Sequence, residues 1–583
     1  ISMMHYRFSV SNAASHFVDV ELTIQTDGNE TLLKLPVWRP GRYEEGNFAK
    51  NIRNFRVQDI NGKEVKWKKV SKSSWLLKTN KNDTIKINYQ YYCNQLDAGA
   101  CFVNDEQIYI NPIHCCFYTD ANRGNACTVE IVSNFSRVAT SLTQTEKNVF
   151  SAKNFDELVD SPFIASDDLM HYGYTVSDCS FHIWIQGNFK PDVEKLIEDF
   201  KSFTQIQLNV MKSIPVKDYH FLIQAVPHTF YHGVEHLAST VLVIGPSAKL
   251  NDRELYNELL GVASHELFHV WNIKTIRPVE MQPYNYDSPN YAETGFVYEG
   301  ATTYYGDLFL ARCGYFNEEE YFNELNIRIN KHLSNEGRFN YSIAQSSFDT
   351  WLDGYVPGIP GRKTSIYDEG SLVSLMLDFL IRKYSDGKNS LDDVFIELYN
   401  AFGKKNIGYT SDDYLRIASE KAGRSLETFF NDIVYKACSY QSLLEEVMLF
   451  AGLELEENPS KKNAERYFGF KTNDNAAMPE VISLPIGSPA FENGLAIGDL
   501  IIGVDGQKAD KNYDMQINPK ENHKTGFLIS RGNRIKTIEM MPASKKYFST
   551  WKVKHISKKN AEQEQFFNQW TNNLRAHHSQ NSL

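Results

Sequence analysis

The chain has 583 residues, more than one hydrophobic core fills, so two to four domains are expected. Hydrophobic residues make up 42%, charged residues 23% and aromatics 13%, a balance that excludes a disordered chain, and no stretch is long and apolar enough to span a bilayer. A net charge of −11 with no dense Lys/Arg run argues against nucleic acid and for ligands carrying a positive group, such as a peptide's free N-terminal amine.

From His5 to about Cys179, short alternating runs (FVDVELTIQ, TLLKLPVW, TIKINYQYY, QIYINPI, ACTVEIVS) are broken by turn signals such as Asp27-Gly28 and Asn61-Gly62, the pattern of a β domain over residues 1–180. Ahead of it, Met3 or Met4 reads as the start and no signal-peptide pattern is visible. The expected location is therefore cytoplasmic, or periplasmic if a leader has been removed. The eight cysteines are sparse and form no C-x-x-C pair, which argues against a disulfide framework or a thiolate zinc site. Mixed α/β character, with the strand-like FLIQAV and TVLVIG, runs from about Phe181 to Asn272, and helical periodicity from about Phe296 to Phe450, as in GATTYYGDLFLARC and SLVSLMLDFLIRKY. Together these mark a domain over 181–452. The polar EENPSKKNAERY reads as a linker to a β-rich module over 463–545, and 546–583 holds one helix and a frayed tail ending RAHHSQNSL. The fold class is multidomain α+β.

The segment from Leu259 to Trp271 reads LLGVASHELFHVW and contains H-E-x-x-H in a helical pattern. His265 and His269, four residues apart, fall on one helix face where both imidazoles reach one zinc ion, with Glu266 beside the metal-bound water as general base. An accidental occurrence is expected on the order of a few hundredths of a time in such a chain. The bland alternative is an exposed helix with two satisfied histidines; the apolar flanks argue for burial, where an ionisable pair wants a partner. Catalytic zinc keeps three protein ligands, and two downstream glutamates compete for the third place. Glu293 lies near a Pro-rich loop, whereas Glu299 begins a helix-like run whose small residues permit close packing on the histidine helix, so Glu299 is preferred.

His265-Glu266-x-x-His269 with Val297-Tyr298-Glu299-Gly300-Ala301-Thr302-Thr303-Tyr304-Tyr305-Gly306-Asp307 resembles the glycyl aminopeptidase family of gluzincin zinc peptidases, relatives of aminopeptidase N that carry an appended PDZ domain. The likeness extends to Trp38-Arg39-Pro40-Gly41-Arg42-Tyr43, to Gly233-Val234-Glu235-His236, and to Trp271-Asn272-x-Lys274-x-Ile276-Arg277-Pro278. It implies one zinc ion in a thermolysin-like catalytic domain. It also implies that Glu235, with Gly233, receives the substrate's α-amine, a contact that rejects internal peptide segments. His232 stands where the family usually has a second glycine.

Tyr367-Asp368-Glu369-Gly370 resembles the motif whose tyrosine donates to the tetrahedral oxyanion, although Glu369 replaces the usual lysine; Tyr304 and Tyr305 are the fallback candidates. Gly487-Ser488-Pro489-Ala490 through Gly498-Asp499-Leu500 to Val504-Asp505-Gly506 looks like a PDZ core, with a candidate peptide-binding loop near Tyr467-Phe468-Gly469-Phe470; its alternative role is to brace the catalytic domain. The expected function is a zinc aminopeptidase removing small N-terminal residues (Gly or Ala) from peptides. A zinc endopeptidase and a non-catalytic PDZ scaffold are the rivals.

Overall fold

The computed structural model describes residues 4–473 and 475–574; the expected tail after Leu574 and the residues before Met4 lie outside it. The N-terminal domain is built on a seven-stranded sheet with a four-stranded and a three-stranded sheet beside it. Strand Met4–Ser9 lies between Cys127–Val132, parallel to it, and Phe17–Gln25, antiparallel. Alternation puts Tyr6, Phe8, Val18, Val20 and Leu22 on the buried face, as a half-solvated sheet requires. The same core continues into Tyr284, Tyr286, Tyr298 and Trp351 of the next domain. The domains therefore share an apolar interface rather than a hinge.

The second domain opens on a five-stranded sheet in the order Leu169–Val176, Cys179–Gly187, Asp218–Ala225, Ser239–Gly245, Phe230–Glu235. Leu169–Val176 falls inside the stretch expected to be the N-terminal domain, yet it pairs over its whole length with Cys179–Gly187. A hairpin cannot be divided between two sheets, so the junction precedes Leu169. Helices Val193–Met211 and Arg253–Phe268 pack on this sheet through Phe200, Phe203, Leu259 and Phe221, and the helical half follows. No helix among the described residues is long and apolar enough to cross a membrane.

The C-terminal β-rich region is a six-stranded sheet standing on a stem, Leu453–Asn458 antiparallel to Thr550–His555. The stem is fixed to helix Glu318–Ser334: the amides of Val553 and Trp551 donate to the side-chain oxygens of Asn326 and Asn330 at 2.8 Å, and His555 meets Glu318 at 2.7 Å. Helix Ala561–Thr571 then buries Trp570, whose Nε1 donates to the Tyr304 hydroxyl at 2.8 Å. The described residues after the module, expected as a separate terminal segment, are thus built into the second domain, because a lone strand and an amphipathic helix need partners.

Candidate active site

Helix Arg253–Phe268 places His265 and Glu266 in its last turn and His269 at its C-cap. The two imidazole Nε2 atoms stand 3.1 Å apart, and Glu299 Oε2 lies 3.8 Å from His265 Nε2 and 3.4 Å from His269 Nε2. Glu299 is carried by a π-helical turn, Phe296–Ala301, that runs into helix Thr302–Arg312. Wide π turns recur at functional sites because they re-aim a side chain without ending the helix. The small residues after Glu299 mark close approaches. A Cβ on Gly300 would lie 2.5 Å from the Gly370 carbonyl carbon, and one on Gly306 3.1 Å from His265. Glu293, the competing glutamate, is solvent-exposed.

His269 is held in one orientation: its Nδ1 donates to the Asn272 carbonyl at 2.8 Å, which turns its Nε2 towards Glu299. The loop supplying that carbonyl carries Ile273 at φ 108, a costly conformation for a β-branched residue, worth about 1–3 kcal/mol. Amides of Lys274 and Ile276 returning to His269 and Trp271 at 3.0 and 2.7 Å hold the loop there.

The donor set fits zinc. Two ligands on a tetrahedral zinc with bonds near 2.05 Å sit roughly 3.3 Å apart, and the three distances bracket that value. The charges agree as well. Glu235, Glu266 and Glu299 are 3%, 4% and 2% exposed around a 1% exposed His269, three carboxyl groups sharing one dry pocket. Burial, and then their mutual repulsion, raise Glu266 and Glu299, while Glu299 and Glu235 overcome burial to push His269 up to about 10. Such a set is relieved by a dication.

Glu235 closes strand Phe230–Glu235, and its ligand atom groups with those of His269 and Glu299 within 4.8 Å. Its Oε1 is buried without a hydrogen-bond partner, as is Glu266 Oε2. Gly233, one strand repeat earlier, bears directly on Glu266: a Cβ there would lie 2.5 Å from Oε1, so a side chain would displace that carboxylate. His232 points to the opposite face, where its Nδ1 accepts from the Ala98 amide at 3.1 Å. Burial, and then the Arg39 charge, lower it to about 4, so it stays a neutral acceptor anchoring the strand to the N-terminal domain.

Tyr367 stands at the start of helix Asp368–Tyr384, its hydroxyl 3.3 Å from that of Tyr355. Burial, and then the charge of Glu299, raise its phenol, which keeps it a donor. Glu369 turns away, accepting from Asn335 Nδ2 at 2.9 Å and the Ser365 amide at 2.7 Å, so it serves the loop before the helix. Tyr304 and Tyr305 are committed elsewhere, donating to Asp378 at 2.5 Å and Asp392 at 2.6 Å in the helical core.

Sequence reasoning gave no role to three groups now placed at the site. The Tyr43 hydroxyl donates to Glu299 Oε1 at 2.7 Å. Tyr355 joins the hydroxyls of this wall. Asp160 of the N-terminal domain accepts from Lys274 Nζ at 2.9 Å and the Leu237 amide at 2.8 Å and meets His236 Nδ1 at 3.0 Å, bolting down the strand that carries Glu235. Against its burial, Lys274 and His236 hold the Asp160 carboxyl well below the usual range. A cavity of about 340 Å³ beside this bolt lies between the domains and is lined by His236 but by neither His265 nor His269.

Residues 5–167 match the Peptidase M61 N-terminal domain and residues 258–373 the M61 glycyl aminopeptidase domain. The chain is similar to the crystal structure of an aminopeptidase N family protein from Idiomarina loihiensis, at 25% identity and a TM-score of 0.87, over 98% of this chain and 100% of that one. It is also similar to the M1 zinc metallopeptidase of Deinococcus radiodurans at 13% identity and a TM-score of 0.46, over 75% of this chain and 94% of that one. A variant of that enzyme bound to a Tyr-Ser-Ala substrate gives 11% and 0.47 over the same shares. No curated protein sequence matches. The M61 matches, which include Tyr43, His265, His269 and Glu299 but not the strand ending in Glu235, support a zinc metallo-aminopeptidase.

Proposed function

We propose that the protein removes the N-terminal residue, a small one such as glycine or alanine, from peptides, using one zinc ion held by His265, His269 and Glu299. The observation that carries this reading is the unpartnered, buried Oε1 of Glu235 next to the metal-ligand set. An ammonium is the group that would satisfy it, and internal peptide segments do not bring one. The zinc, when bound, polarises the scissile carbonyl and acidifies water.

Glu266, whose buried Oε2 has no hydrogen-bond partner beside the ligand set, takes the proton of the attacking water and returns it to the leaving amine. Tyr367 donates to the oxygen on which negative charge develops. The preference for a small residue is supported by the match to the M61 glycyl aminopeptidase domain; Gly41, where a Cβ would lie 2.6 Å from Glu235 Oε2, walls the amine site closely. The C-terminal region is read as a PDZ-like module in which Lys471–Asn473 is the terminal strand of the sheet, the edge where a peptide strand would add. Phe468 and Phe470 of the loop before it are core residues.

The test is chromophore release from Gly- and Ala-anilides beside their N-acetylated forms, with chelator and with zinc restored. Cleavage of the free-amine substrates alone, lost with chelator, is expected. Cleavage of longer blocked peptides would replace the reading with an endopeptidase, and bound zinc without cleavage would replace it with a scaffold.

A further inference from the structure

The two oxygens of Glu299 have different surroundings. Oε2 faces both histidines, whereas Oε1 accepts the Tyr43 hydroxyl at 2.7 Å. Tyr43 belongs to the N-terminal domain, 256 residues upstream, and is fully buried. Its placement is over-determined. The ring packs against Tyr298 and Trp351, with centroids 5.2 and 6.0 Å away, and its amide donates to the Tyr355 hydroxyl at 3.1 Å. The turn leading to it is tied down by Trp38 Nε1, which donates to the Asn285 carbonyl at 2.7 Å, and Gly41 passes against Glu235 at φ 88, where a side chain would be strained.

We propose that Tyr43 is the positioning residue for Glu299, so that two domains build the metal centre and the N-terminal domain decides which carboxylate oxygen faces the ion. The inference rests on the reading of His265, His269 and Glu299 as the ligand set. A ligating carboxylate whose second oxygen has no partner is free to rotate and to bind through both oxygens; a donor on Oε1 holds Oε2 forward. Outer-sphere partners of this kind typically govern metal affinity by about 10–100-fold.

The experiment compares Tyr43→Phe and Glu299→Gln with the wild type in full-length protein. It measures zinc affinity by competition with a chelator of known strength, and the visible spectrum after cobalt substitution, which reports coordination. Tyr43→Phe keeps the packed ring, and cooperative unfolding of the metal-free variant, at wild-type secondary-structure content, checks that the fold is intact. The expected result is zinc binding about 10–100-fold weaker in Tyr43→Phe with an altered cobalt spectrum, and a larger loss in Glu299→Gln. Wild-type affinity and spectrum in Tyr43→Phe, with zinc lost from Glu299→Gln, would overturn this inference and leave the ligand set standing. Wild-type zinc affinity in Glu299→Gln would instead overturn the ligand set.

Discussion

Two pieces of this molecule are attached to the same catalytic body in opposite ways. The Trp38–Tyr43 turn enters through buried polar bonds that end on Glu299 and pass against Glu235. The C-terminal module stands on a two-stranded stem whose bonds run to Glu318, Asn326 and Asn330 on a helix carrying none of the metal-site residues. The first kind of joint makes a domain part of the proposed chemistry, because moving it moves Glu299. The second transmits stability and leaves the site's geometry to others.

Substitutions of decreasing effect sharpen that contrast. Glu266→Gln, which touches neither joint, sets the upper scale: kcat on a free-amine anilide is expected to fall about 10²–10⁴-fold with one zinc still bound. Loss of the metal instead would remove Glu266 from the role of base. Asp160→Asn attacks the polar joint, leaving Lys274 buried without its counter-charge, and should destabilise the protein by about 3–5 kcal/mol in urea unfolding. The pH dependence has a definite sign. The folded Asp160 carboxyl is held below its unfolded value of about 3.9, so its contribution is present above that pH and fades as pH falls below about 4. Asp160→Asn should lack this component of acid destabilisation, and an unchanged acid limb would mean that the bolt does not bear on stability.

Tyr367→Phe is expected to lower kcat about 10²–10³-fold with KM little changed; a loss confined to KM would assign the hydroxyl to substrate binding. The smallest effect belongs to the other joint. Replacing 459–549 by a short turn between the paired stem strands should leave kcat/KM for small anilides unchanged. A large drop there would erase the distinction between the two attachments.

What could be read from the chain tracks how local each feature is. His265, Glu266 and His269 lie within a single turn's reach of one another, so residue type and a spacing of four suffice to bring them together. Glu299 was legible because Gly300 and Gly306 announce close helix packing, and the exposure of Glu293 agrees with that preference. Tyr304 and Tyr305, the fallback candidates from the sequence, point into the helical core, since a helix face is fixed by its neighbours and not by residue type. The strand Leu169–Val176 reads like those before it, because alternation records that one face is buried and says nothing of which sheet it joins.

By itself, then, the sequence carried the H-E-x-x-H spacing, the glutamate that the fold brings beside both histidines and the β-then-helical order of the domains, all of which are written in spacings of a few residues. Only the tertiary structure decided that a tyrosine 256 residues before Glu299 reaches its second oxygen, that Asp160 clamps the strand ending in Glu235, and that Leu453–Asn458 pairs across the whole module with Thr550–His555. Such contacts close loops of between 77 and 256 residues, whose entropy cost grows only slowly with length. No local pattern therefore marks them in advance; they are chosen by the buried polar atoms that must find partners once the domains have packed.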